Sequence, residues 1–320
     1  MSTLIGSELS QFALDVAAGF SAKGNRQIPP RYFYDDLGSS LFEAVTLLPE
    51  YGLTRADERL LRMHADSIAG KVGKAGVVAE LGSGSGKKTL HILRSIQQAT
   101  PRMMYCPIDV SGAALAACER EIGSLCAVKP VCGDWMDGLT EISRQREKNI
   151  PLLLLFLGSS IGNLDRALLP DFFRGLRAHL LPGDFFLLGA DLVKDIDTMI
   201  AAYDDPTGVT AAFNLNVLGR MNRELQAHFD LRTFAHEARW NSEARRIEMH
   251  LLSCRDQDVL IGALDTSYRF AAGETIWTES SHKFTEEELD TFAQGSGFAS
   301  VATWVDREWP FAEALWQVTG

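Results

Sequence analysis

A chain of 320 residues, 46% apolar and 23% charged, can bury a substantial core, which excludes a disordered tail or a small disulfide- or metal-stapled module. Against 42 acidic side chains stand 31 Lys and Arg, a formal charge of −11 at pH 7 and the wrong sign for a general binder of phosphate backbones, so no nucleic-acid partner is expected. The longest wholly apolar stretches, such as 152–157, fall far short of the ~20 residues of a membrane helix, so no membrane partner is expected either.

In chain order, MSTLIGSELSQF lacks a basic region followed by an apolar run and a cleavage site, so no secretory signal is expected. The first 60 residues precede any regular alternation and are expected to join a second domain. From Gly76 the pattern becomes regular: an apolar run at 77–81, a glycine turn, helical spacing through Leu90, Leu93 and Ile96, a run at 103–108, a helix at 113–122 and a run at 128–132. A very apolar strand at 152–157 follows, then a helix at 166–180 and a strand at 185–188. Short apolar strands alternating with helices predict a parallel sheet covered on both faces, a doubly wound α/β core. After Lys194 come a long helical stretch at 199–229 and segments at 231–240, 246–253 and 266–270 that alternate with period two, as antiparallel strands solvated on one face do. A helix at 286–294 and a strand pair at 299–305 and 314–318 are expected to complete the core sheet. The predicted domains are a core of residues 61–194 and 285–320 and an interleaved α+β substrate-binding domain of residues 1–60 and 195–284. The five cysteines (Cys106, Cys118, Cys126, Cys132, Cys254), odd in number and without a Cys-x-x-Cys, read as reduced, buried thiols of a cytoplasmic protein.

Glu80-Leu81-Gly82-Ser83-Gly84-Ser85-Gly86 leaves a strand and opens a helix, where glycines permit a sharp turn and close approach of a ligand to free N–H groups. A dinucleotide fingerprint wants Gly at its first, third and sixth positions; the sixth counted from Gly82 is Lys87, which disfavours NAD. The Glu-x-Gly-x-Gly-x-Gly form resembles instead the first motif of class I S-adenosylmethionine-dependent methyltransferases, a Rossmann-like doubly wound fold in which the strand-end acid sits near the methionine part of the cofactor. Asp109 ends the next strand and can accept two hydrogen bonds from a ribose diol. Gly133-Asp134-Trp135 ends the third, where an acid can hold the adenine amino group and an indole can stack on the ring; a helix cap and a core residue are the plainer readings of these two. The fourth strand runs into Gly158-Ser159-Ser160-Ile161-Gly162-Asn163-Leu164, at the edge where methyl acceptors of that class sit. Asn163 offers a donor and an acceptor to a group carrying carboxylate and amine side by side, while Asp165 can cap the helix that follows.

Several separated segments, among them Pro29-Pro30-Arg31-Tyr32-Phe33-Tyr34-Asp35, Gly38-Ser39-Ser40-Leu41-Phe42, Leu48-Pro49-Glu50-Tyr51, Ala202-Tyr203-Asp204, Ile247-Glu248-Met249 and Thr278-Glu279-Ser280-Ser281-His282-Lys283-Phe284, resemble the histidine Nα-methyltransferases of ergothioneine biosynthesis. The similarity covers essentially the whole chain. It implies that S-adenosyl-L-methionine is the cofactor and L-histidine the small-molecule substrate, trimethylated to hercynine by a monomer. Position by position, it implies that Asn163 and Tyr203 grip the substrate carboxylate with Tyr51 at the same end, that Tyr34 lies beside the amine, and that Gly158 is near the transferring methyl. Glu279 and Ser281 would hydrogen-bond the imidazole, with Met249 packed on the ring. Glu80, Gly82, Gly84, Gly86, Lys88, Asp109, Asp134 and Trp135 would hold the cofactor. One departure is Gly52, where the family usually carries a second aromatic after the tyrosine.

The chemistry is consistent with that resemblance. A carboxylate can accept from one imidazole N–H while a hydroxyl serves the other nitrogen, and residues two apart on a strand share a face. Methyl transfer from a sulfonium is an in-line displacement by an unprotonated nitrogen, so positioning matters more than acid or base; Tyr34 is the best candidate for relaying the amine proton. Tyr34 and Phe42 are candidate walls for a quaternary ammonium product, though Phe42 reads first as a core residue. The alternatives are an N-methyltransferase of an indole amino acid on the same fold and a non-catalytic binder. The seven histidines show no metal-ligand spacing, and no metal site is expected.

Overall fold

A computed structural model of the chain describes residues 2–22, 24–147 and 149–320. It divides into two compact units, Met1–Tyr51 with Asp195–Ser281, and Gly52–Lys194 with His282–Gly320.

In the second unit the sheet runs in the spatial order Phe298–Asp306, Phe311–Val318, Phe185–Asp191, Leu152–Phe156, Val77–Leu81, Met104–Asp109 and Ala127–Val128, with Val131–Cys132 also pairing to Met104–Asp109. Phe311–Val318 is antiparallel to both its neighbours, and the remaining pairings are parallel. Chain order reverses between Val77–Leu81 and Leu152–Phe156, so the carboxyl ends of these strands flank the switch point where open α/β sheets bind ligands. Every residue of Val77–Leu81, Leu152–Phe156 and Phe185–Asp191 is buried, which is why these strands read as predominantly apolar runs. One face packs Val77, Ala79, Leu81, Leu154 and Phe156 with Phe173 and Trp316; the other packs Val78, Leu153 and Leu155 with Tyr105 and Ile92. This is the expected doubly wound core.

Several boundaries differ from expectation. Residues 60 and 61, expected to divide the domains, lie inside the helix Gly52–Val72, whose buried face runs without a break through Leu53, Ala56, Leu60, Leu61 and Ile68. Residues 282–284 sit with the second unit because Phe284 donates its N–H to the Asp191 carbonyl and accepts one from Val193. The run at 128–132 splits in two at Pro130, which has no N–H to give a sheet. The helix at 166–180 is a short 3-10 turn, Arg166–Leu168, followed by Leu169–Ala178 with proline in its first turn.

The first unit carries a four-stranded sheet ordered Arg26–Gln27, Thr275–His282, Arg246–Ser253 and Phe234–Asn241, and a hairpin of Gln257–Ile261 with Thr266–Phe270. The helical stretch expected at 199–229 is two helices, Ile196–Ala201 and Val209–Glu224. Asp205-Pro206-Thr207-Gly208 separates them, with Asp205 accepting from the N–H groups of Val209 and Thr210. All five cysteines are free, but Cys132 and Cys254 are exposed rather than buried: each ends or follows a strand where the chain turns outward. No helix among the described residues is long and apolar enough to cross a membrane.

Candidate active site

At the carboxyl edge of the parallel sheet, Gly82, Gly84 and Gly86 all adopt positive φ (67°, 53° and 70°), which a side chain would strain. Their surroundings differ. A Cβ on Gly84 would meet nothing within 4 Å, and one on Gly82 would stand 3.5 Å from the Trp135 Nε1, so here the backbone is bare to a ligand. On Gly86 it would lie 2.7 Å from both Cys118 Sγ and Ile122 Cδ1: this glycine packs the turn on the helix Gly112–Ile122.

Asp109 shapes the turn from the neighbouring strand. Its Oδ2 accepts from the Gly84 N–H at 3.0 Å and its Oδ1 from the Ser111 N–H at 2.9 Å, and each oxygen keeps a further lone pair for a ribose hydroxyl. Exposed Asp134 caps the helix Trp135–Gln145 by accepting from the Met136 N–H at 2.9 Å, which realises the plainer reading of that residue and leaves acceptor capacity over. Trp135 is half-buried against Phe156 and Phe172, with its indole beside Gly82. A bare glycine backbone, a carboxylate with spare lone pairs and an indole at adjacent strand ends fit an adenosyl cofactor.

Glu80 is seated otherwise than expected. Its carboxylate is 1% exposed and accepts from the hydroxyls of Thr89, at 2.8 Å, and Tyr105. Burial raises its pKa to about 7 against the opposing hydrogen bonds of Tyr105 and Thr89 and the charge of Lys88. It therefore braces the turn from below. Lys88 pairs with the buried Asp57, and a Cβ on Gly158 would lie 2.9 Å from the Lys88 Nζ. Burial alone would lower the Lys88 pKa; the Asp57 carboxylate more than reverses this, so the ammonium stays charged. Gly158 (φ 73°) and Ser159 (φ 57°) form a left-handed turn held by the Asp191 N–H donating to Ser159 Oγ at 2.9 Å. Asn163 closes the following 3-10 turn, Ser160–Asn163, and Asp165 caps the next one by accepting from the Ala167 N–H.

In the other unit, Tyr203 and Ser281 meet: their hydroxyl oxygens are 2.7 Å apart. Two residues expected at opposite ends of the substrate thus share a hydrogen bond. Glu279 and Ser281 lie on the strand Thr275–His282, Glu279 half-buried, and Met249 is 1% exposed on Arg246–Ser253. The rings of Tyr51 and Tyr203 are 5.9 Å apart, Phe42 and Tyr51 6.3 Å, and Tyr34 and Phe42 5.7 Å. Phe213 joins this set, 5.7 Å from Phe42 and 5.9 Å from Tyr34.

Phe213 and Asp57 escaped the sequence reading. Phe213 sits inside a helix with no local mark of function. Asp57 did leave a signal, an acid on the apolar stripe of Leu53, Ala56, Leu60 and Leu61. Gly52 is explained by its surroundings, since a Cβ there would lie 2.1 Å from the ring of Trp309. An indole from elsewhere in the chain fills the space that a side chain at 52 would need.

Residues 12–318 match the family described as "Histidine-specific methyltransferase, SAM-dependent". The chain is 40% identical to the histidine N-alpha-methyltransferase of Mycobacterium tuberculosis, over 97% of each chain. It is 30% identical to ergothioneine biosynthesis protein 1 of Neurospora crassa, over 88% of this chain and 32% of that protein. An L-tryptophan methyltransferase of Psilocybe serbica is 26% identical, over 89% of this chain and 86% of that protein.

Proposed function

The chain belongs to the histidine-specific, S-adenosylmethionine-dependent methyltransferases, and from that membership we propose that Glu279, Ser281, Tyr203 and Asn163 hold L-histidine while its α-amine receives three methyl groups, giving hercynine for ergothioneine biosynthesis. The observation that carries this reading is the hydrogen bond between Tyr203 and Ser281, the latter on the strand that bears Glu279. A carboxylate and a hydroxyl two residues apart on one strand, Glu279 and Ser281, can serve both nitrogens of an imidazole, and an indole or phenyl ring would leave them unpaired. Sites built on such hydrogen bonds reject analogues by roughly 10⁴-fold or more.

S-adenosylmethionine supplies an electrophilic methyl on a sulfonium. Gly82, Gly84, Asp109, Asp134, Trp135 and Lys88 would hold it, with Glu80 and Gly86 acting through the turn they brace and pack. The protein's share of the chemistry is placement. Fixing an unprotonated amine in line with the methyl replaces a bimolecular encounter and can supply ~7–11 kcal/mol of the barrier. Asn163 and Tyr203 take the carboxylate with Tyr51 alongside, Gly158 leaves room at the reacting carbon, Met249 packs on the ring, and Tyr34 relays the amine proton. The product's quaternary ammonium has no N–H to donate, and the rings of Tyr34, Phe42, Tyr51 and Phe213 suit its spread positive charge. The same reading has the enzyme working in the cytoplasm as a monomer.

The test is to incubate the chain with S-adenosylmethionine and each common amino acid and to weigh the products. Additions of one, two and three methyl groups to histidine are expected. No addition to histidine, or a preference for tryptophan, would overturn the reading in favour of an indole substrate.

A further inference from the structure

Resting on that reading of the substrate end, we infer that His236 is a positioning residue for histidine recognition, a buried imidazole that ties Tyr203 to the strand carrying Glu279 and Ser281. His236 lies on the strand Phe234–Asn241 with its side chain 2% exposed. Its Nε2 is 2.7 Å from the backbone carbonyl oxygen of Tyr203. A carbonyl can only accept, so Nε2 carries the proton and donates. Its Nδ1 is 2.8 Å from Nδ2 of Asn214, a fully buried residue of the helix Val209–Glu224.

The amide of Asn214 is oriented from both sides. Its Nδ2 also donates to the His250 carbonyl oxygen at 3.1 Å, and its Oδ1 accepts from the Thr278 hydroxyl at 2.8 Å. Nδ1 of His236 therefore accepts while Nε2 donates, so both ring nitrogens are engaged. The Asp204 carboxylate stands 4.0 Å from Nε2, beyond hydrogen-bond range. Thr278 immediately precedes Glu279, and its oxygen lies 3.0 Å from the Met249 carbonyl oxygen.

A continuous chain of hydrogen bonds thus runs from the Tyr203 backbone through His236 and Asn214 to Thr278. Tyr203 returns to the same strand through its own hydroxyl, at Ser281. Two connections, one through backbone and one through side chain, fix Tyr203 against the strand that reads the ring. Removing one member takes a hydrogen bond from each buried group it served and loosens this tie between Tyr203 and the strand.

Three variants test this by steady-state kinetics with L-histidine and S-adenosylmethionine. His236→Phe keeps a planar ring and removes both nitrogens. His236→Gln keeps a donor and an acceptor on one planar group. Thr278→Val keeps the shape and removes the hydroxyl. The expected result is a KM for histidine raised at least tenfold in His236→Phe and threefold or more in Thr278→Val, a KM for S-adenosylmethionine within twofold of wild type in both, and His236→Gln within threefold for both substrates. A general loss of structure would lower kcat or move both KM values together and would not be rescued by glutamine; that pattern, or a histidine KM unchanged in Thr278→Val, overturns the inference. Should His236→Phe fail to fold, the other two variants decide in the same way. A wild-type chain inert toward histidine overturns the functional reading and the inference with it, whereas an active wild type with unchanged variants overturns the inference alone.

Discussion

Glu80 and Glu279 are the same residue type given different tasks by their surroundings. Glu80, sealed beneath the glycine turn, has its pKa pushed by burial from 4.5 to about 7. The folded chain then holds that proton more tightly than the unfolded chain does. The stabilisation this gives is complete below pH 4.5 and is lost as pH rises through about 7. Glu80→Gln has no proton to lose, so relative to wild type it should gain stability between pH 4.5 and pH 8, by up to about 3 kcal/mol. Urea unfolding at the two pH values measures this, and an equal difference at both would contradict it. At the sheet edge, Asn163→Ala should raise the KM for histidine by tenfold or more while leaving the KM for S-adenosylmethionine within twofold. Both KM values unchanged would remove Asn163 from the site.

Among the elements, the glycine turn was legible because its spacing follows from backbone needs, but only its surroundings show that Gly86 packs while Gly84 lies open. Gly86→Ala must displace Cys118 or Ile122 and strain a left-handed φ, so it should destabilise the chain by ~1–3 kcal/mol. Gly52→Ala drives a methyl into the Trp309 ring, whose Nε1 donates to Asp191 at 2.9 Å and whose face lies 4.7 Å from the Lys194 ammonium. A loss of similar size is expected there, and a melting temperature unchanged from wild type would contradict either estimate. The central strands announced themselves as apolar runs because both their faces are covered. Thr275–His282 did not, since Thr278, Glu279, Ser280, Ser281 and His282 give it a polar surface whose use lies in the fold's interior hydrogen bonds rather than in alternation. For the same reason the His236 network left no mark in the pattern: His236 and Asn214 are unremarkable along the chain, and they meet Thr278 and Tyr203 only because three elements and a turn come together.

At the scale of the whole molecule, the interleaved order of the chain was readable from the change of texture at Lys194, whereas the first boundary was not, because the helix Gly52–Val72 begins the core unit without any break in composition. On the proposed reading, Glu279 on the polar strand Thr275–His282 makes this chain a reader of imidazole. The most direct measurement of this is the ratio of kcat/KM for L-histidine to that for L-tryptophan, taken for the wild-type chain and for Glu279→Ala. A wild-type ratio of roughly 10⁴ or more, falling at least a hundredfold in the variant chiefly through loss of histidine turnover, is the predicted result. The same ratio in both proteins, with histidine kinetics intact, would contradict it.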